Sequence, residues 1–134
     1  MPPFNEQGYL PPGVYEIRWQ ELMERFATST GRQRIVTGLA AALRKLAIAG
    51  CTRVIIGGSF ISAKVEPRDF DAYYDNFGLD FELLDALFVE DTDSQQDVFC
   101  GELFPTIGYD RFLQTDKEGT PRGVVALDPR ELIS

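Results

Sequence analysis

Three observations predict a mixed domain of helices and strands. Apolar residues recur twice at helical spacing before residue 50. Short runs of β-branched residues bounded by turn formers follow. One segment, "DFDAYYD" at 69–75, alternates polar and apolar positions as a pleated strand does. With 134 residues, 44% of them apolar and 25% charged, the chain has the size and balance of one domain with one core.

Residues 1–14 carry four prolines and two glycines, which predicts an extended N-terminal arm over a single domain at 15–134. From Tyr15 to about Thr28, Trp19, Leu22, Met23 and Phe26 fall at i, i+3, i+4 and i+7, so they are expected on one buried helix face. After "TSTG", a second stripe of Ile35, Leu39, Ala42, Leu43 and Leu46 predicts a longer helix, with Gly50 closing its C-terminus. "TRVIIGG" reads as a short buried strand. In "DFDAYYD" the carboxylates of Asp69, Asp71 and Asp75 share one strand face with Tyr73, while Phe70, Ala72 and Tyr74 take the other. Asn76 to about Val89 predicts a helix with Leu83, Leu84, Leu87 and Phe88 inward, followed by an acidic loop, "EDTDSQQD". "VFCGELF" and "GVVAL" predict the remaining strands, joined by the turn-rich "DKEGTPRG".

The composition excludes several chemistries. The chain has no histidine, which removes Ser-His-Asp and Cys-His catalysis and His-containing zinc sites, and its two cysteines cannot cage zinc alone. Cys51 and Cys100 lie in apolar surroundings and read as free thiols. A net charge of −8 argues against general nucleic-acid binding and suits divalent cations better. No apolar run approaches the ~18 residues of a membrane span and no signal core is visible, so a cytoplasmic protein is expected.

The chemistry concentrates at residues 54–75, "VIIGGSFISAKVEPRDFDAYYD". Asp69 and Asp71, i and i+2 on a strand, place their Cα atoms roughly 6.6 Å apart on one face, where two carboxylates repel unless a cation sits between them. Mg2+ is the candidate, because paired ions held by carboxylates and substrate phosphates drive phosphoryl and nucleotidyl transfer. Gly57 and Gly58 allow the backbone to approach a ligand closely, and the Ser59 N–H and hydroxyl can bind phosphate oxygens.

This pattern resembles the motif of the DNA polymerase beta superfamily of nucleotidyltransferases, with Gly58, Ser59, Asp69, Phe70 and Asp71 in the motif positions. Over most of the chain, "LPPGVYEIRWQELMERF", "GGSFISAKVEPRDFD" and "FLQTDKEGTPRGVVAL" look like a small bacterial branch of minimal nucleotidyltransferase-like proteins. The resemblance implies an α+β fold, a nucleotidyltransferase-like mixed sheet with helices packed on one face. It also implies Mg2+-dependent transfer of a nucleoside monophosphate from a nucleoside triphosphate to a protein, RNA or small-molecule acceptor. Membership of a toxin-antitoxin or phage-defence pair with a partner protein, or a homo-oligomer, would fit the family. The alternative is a catalytically silent antitoxin or regulatory module on the same fold.

A third acid is expected on a later strand, where the superfamily usually has aspartate. Glu102, inside "VFCGELF", is the choice for catalytic and metal-binding work beside Asp69 and Asp71. Asp97 is its rival, and a solvent-facing Glu102 on an edge strand is the other reading. Lys64, with Gly57, Gly58 and Ser59, is assigned to nucleotide binding, and Arg68, Lys117 and Arg122 are further candidates for neutralising triphosphate charge.

Overall fold

The structure is a computed structural model that describes residues 1–84, 88, 92–106 and 113–133. Its fold is α+β. Five strands form one mixed sheet: β1 (Val14–Glu16), β2 (Val54–Gly57), β3 (Phe70–Asp75), β4 (Gly101–Thr106) and β5 (Val124–Leu127). They lie in the order β1-β5-β2-β3-β4. The outer pairs β1/β5 and β3/β4 are parallel, while β2 is antiparallel to both β3 and β5. Among the described residues three α-helices accompany the sheet: α1 (Trp19–Phe26), α2 (Thr30–Ile48) and α3 (Thr92–Phe99).

The main core joins the helices to one sheet face. Leu22 and Phe26 of α1, Ile35, Leu39 and Leu43 of α2 and Phe99 of α3 pack with Val54, Ile56, Phe70, Ala72, Tyr74 and Leu103. The predicted α2 stripe is fully buried at Ile35, Leu39, Ala42, Leu43 and Leu46. Burial of each of its large aliphatic side chains contributes about 1.5–3 kcal/mol. Ser29 caps the helix by accepting from the Arg32 N–H, and Gly50 follows its end at φ +96°. The other sheet face carries a smaller cluster of Ile55, Leu113, Val124 and Ala126. Both cysteines are free thiols. Among the described residues no helix is long and apolar enough to cross a membrane.

Several expectations change. The arm is stitched to the domain: Leu10 is fully buried, Tyr9 bridges Ser62, and the Ala63 N–H donates to the Gly8 carbonyl. Its end becomes strand β1, so the first helix begins at Trp19 rather than Tyr15, and Met23 is 40% exposed. Strand pairing wins there because the Ile17 N–H donates to the Ala126 carbonyl, carrying extended backbone up to Arg18.

The helix predicted from Asn76 is absent over 76–84, which forms turns. The Asp75 and Asp80 carboxylates accept from the N–H groups of Phe77 and Glu82, and Gly78 sits at φ +77°; these local bonds compete with the helical ladder. Leu83 is exposed, Leu84 and Phe88 are buried, and Leu87 lies outside the described residues.

Helix α3 instead occupies much of the predicted acidic loop. It forms because Phe99 enters the core and the buried Gln95 accepts from the Leu103 N–H of β4, giving a polar segment one inward edge. Consequently β4 starts at Gly101, three residues later than "VFCGELF" suggests.

Helices α2 and α3 meet at Gly38, where an added Cβ would collide with the Phe99 carbonyl. Gly38→Ala should therefore lower the urea midpoint: overpacking costs about 1–3 kcal/mol, outweighing the ~1 kcal/mol gain in helix propensity. A more stable variant would show that the two helices are not in tight contact.

Candidate functional site

Registry brings the acids together. Asp71 on β3 pairs with Glu102 on β4, and adjacent strands lie about 4.8 Å apart, so both side chains leave the same sheet face. Asp69 precedes β3 by one residue and belongs to the same end of the sheet. The Gln96 amide of α3 ties this end together, donating through Nε2 to Asp69 Oδ2 at 3.1 Å and to Glu102 Oε1 at 3.3 Å. Glu102 is thus half-buried on the edge strand β4 and turned toward the other acids. Asp97 is exposed on α3 rather than at the start of a strand.

Of the three carboxylates, Asp71 carries the electrostatic consequence. Burial, helped by the charges of Asp69 and Glu102, pushes the Asp71 carboxyl up to about 6, while Arg122 pulls it the other way. Among the described residues no three potential metal-ligating side chains stand close enough to hold an ion as they are. The acids form an open set of hard oxygen donors, two of them engaged by Gln96.

The glycine turn lies directly against this set. Gly58 has φ +80°, and a Cβ there would approach Asp71 Oδ2 to 2.7 Å. Gly57 has a different role from the one expected of a cradle. The space of its missing Cβ is bounded by Leu113 and Val124, so it admits the side chain that covers that face. After the turn, Ser59–Ile61 forms one 3-10 turn.

Arg32, which the sequence reading left unassigned, fixes the next segment. It is 4% exposed and donates from Nη1 to the Phe26 and Phe60 carbonyls and from Nη2 to those of Ser62 and Lys64, at 2.7–3.1 Å. Desolvation lowers its pKa and Glu66 partly offsets that. The signal was present: Arg32 lies three residues before Ile35 and seven before Leu39, on the inward stripe of α2.

Three clefts converge on Ser59 and Lys64. One of about 360 Å³ contains Gly58, Asp69, Asp71, Lys117 and Arg122. A second of about 480 Å³ runs beneath the arm along Gln7, Tyr9 and Ala63. The largest, about 760 Å³, is walled by Arg34, Glu66, Arg68, Asp69 and Gln96. Arg68 lines this cleft with Arg34 and does not line the Gly58 cleft. The arm also shapes the small cleft, where the Tyr9 hydroxyl donates to Asp116 Oδ2 at 2.7 Å and the Arg122 guanidinium lies 5.7 Å from the Tyr9 ring centre. The bond to Asp116 raises the Tyr9 pKa and lowers that of Asp116. Tyr9, Gln96 and Asp116 had no distinguishing local signal, since they meet only through the fold.

Together these features define a small α+β protein in which three acids at one sheet end stand beside clefts lined by both acidic and basic side chains. The chain belongs to a family of unknown function (DUF6932), whose model matches residues 2–128 and so spans every site residue above. No curated protein and no solved structure matches it.

Two measurements test the site. Arg32→Met should cost about 3 kcal/mol in urea unfolding, because four carbonyls lose a charged donor; an unchanged midpoint would remove the clamp from this account. Asp71 gives a pH signature. Its carboxyl is held up to about 6 in the fold, whereas in the unfolded chain it titrates near 4. Between those values the folded state keeps a proton that the unfolded chain has released, so its contribution to stability falls as pH rises from about 4 to 6. Asp71→Asn should be about 1–2 kcal/mol more stable than wild type at pH 7.5 in EDTA, a figure reduced for partial solvent screening, and equal to it at pH 4.

Proposed function

We propose that the protein is a Mg2+-dependent nucleotidyltransferase that moves a nucleoside monophosphate from a nucleoside triphosphate to a hydroxyl acceptor on a protein, RNA or small molecule. One observation carries the reading: Asp69, Asp71 and Glu102 gather at one sheet end, against a positive-φ glycine and a cleft containing Ser59, Lys64 and Arg122. The chemistry of the donors suits Mg2+, since hard oxygens favour a hard cation, and Asp69, Asp71 and Glu102 would have to draw closer than they stand here to hold it. When bound, Mg2+ supplies neutralisation of triphosphate charge and activation of the attacking oxygen.

The chain's own groups supply the rest. Lys64 and Arg122 attract the triphosphate, and the bare Gly58 backbone leaves room for it beside Asp71. The acceptor oxygen bonds to the α-phosphorus, the bond from that phosphorus to the α,β-bridging oxygen breaks, and pyrophosphate leaves with the electron pair. The hydroxyl proton passes to a carboxylate oxygen of the acidic set and then to water.

A second reading has its own support. Gln96 already satisfies Asp69 and Glu102 without a cation, as a silent antitoxin or regulatory module would allow. The readings separate by calorimetry with MnCl2 and nucleoside triphosphates, followed by turnover with labelled nucleotide. Asp69→Asn/Asp71→Asn should abolish metal-dependent nucleotide binding. Glu102→Gln should weaken it tenfold or more, about 1.4 kcal/mol, and Asp97→Asn should leave it unchanged. Gly58→Val should also lose it, by displacing the Asp71 carboxylate. Metal-independent or absent binding in the wild type would remove the transferase reading in favour of the silent module.

A further inference from the structure

The largest of these three clefts has the features of a second substrate site. Arg34 of α2 enters it from one side, Lys64 and Arg68 from the loop that precedes β3, and Gln96 from α3. The side chains of Arg34, Lys64 and Arg68 have no hydrogen bond or ion pair within the described residues, although the protein carries a net charge of −8. Three cations without a partner among the described residues line this cleft against two carboxylates, Glu66 and Asp69, so the lining is net positive in an otherwise acidic protein and attracts an anion there. The wall is also held in place: Arg32 binds the carbonyls of Ser62 and Lys64, and Pro67 is buried. Asp69 lines both this cleft and the Gly58 cleft, so molecules in the two would meet at its carboxylate.

We infer that this cleft binds the acceptor and that the acceptor is a phosphate ester carrying a free hydroxyl. The inference rests on the transferase reading above and names the substrate class that reading leaves open. A volume of about 760 Å³ falls within the range that encloses small organic ligands, enough for a sugar phosphate or one terminal nucleotide. Phosphate oxygens pair with Arg34, Arg68 and Lys64. The hydroxyl then reaches toward Asp69: its oxygen bonds to the α-phosphorus, the bond to the α,β-bridging oxygen breaks, pyrophosphate leaves with the electron pair, and the hydroxyl proton goes to a carboxylate oxygen.

The test measures binding directly, by calorimetry of ribose 5-phosphate, of a five-residue oligoribonucleotide with a 3′-hydroxyl, and of ribose. Each is titrated into wild type and into Arg34→Glu/Arg68→Glu, which changes only exposed side chains outside the Gly58 cleft. At least one phosphate ester should bind the wild type and ribose should not; the double variant should bind that ester at least tenfold more weakly while keeping metal-dependent nucleotide affinity. The better-bound ester identifies the source, free metabolite or RNA end. Failure of both esters to bind, or binding that the double variant leaves unchanged, overturns the inference even where nucleotide binds normally. Loss of nucleotide binding in the wild type would instead strike the transferase reading, and with it the acceptor assignment.

Discussion

The Arg32 guanidinium donates to four backbone carbonyls, those of Phe26, Phe60, Ser62 and Lys64, and the placement of the loop that leads from β2 to the acidic sheet end depends on that contact. The segment between β2 and β3 has one 3-10 turn and otherwise irregular backbone, so its buried carbonyls need a donor from elsewhere. A planar fork can serve four of them at once; lysine, a point donor, cannot. One arginine on α2 thus ties the end of α1 and this loop together. Lys64 owes its backbone position to it, and Ser59 its neighbour Phe60, whose ring lies 5.5 Å from the guanidinium.

The opposite constraint operates on the acids. A sheet places side chains of paired residues on one face, and parallel registry sets Glu102 beside Asp71 whether or not electrostatics favour it. Burial, helped by the charges of Asp69 and Glu102, raises the Asp71 carboxyl, and Arg122 opposes that shift, while the Gln96 amide bonds the other two acids. Backbone hydrogen bonding across β2, β3 and β4 supplies the stability against which this strain is held. An arrangement that is costly without a ligand and is nevertheless built into the sheet is the physical reason to look for one there.

Packing also assigns roles that a motif does not separate. The adjacent glycines look equivalent in sequence, yet Gly57 makes room for Leu113 and Val124, while Gly58 takes a left-handed conformation beside a carboxylate. Phe70 similarly requires Gly101 on the neighbouring strand, because a side chain there would occupy the position of its ring. Each glycine of the two strands thus answers a neighbour that is distant in the chain.

By itself the sequence determined the elements whose signals are local and repeated: the α2 stripe, the alternation of β3, the short apolar strands β2 and β5, and the absence of any histidine chemistry. It also marked Gly58, Ser59, Asp69, Asp71 and Glu102 as the residues to watch, since an acid inside a strand is conspicuous. Tertiary structure decided the rest. Asx-type bonds from Asp75 and Asp80 broke a helical pattern over 76–84, and contact with α2 and β4 made a helix of the polar segment at 92–99. Strand order put Asp71 beside Glu102, and the clamp on Arg32, the Gln96 bridge and the Tyr9 cover joined residues far apart in the chain. Hydrophobic periodicity reports only which face of a segment is buried. Which segments share that burial is decided by long-range packing.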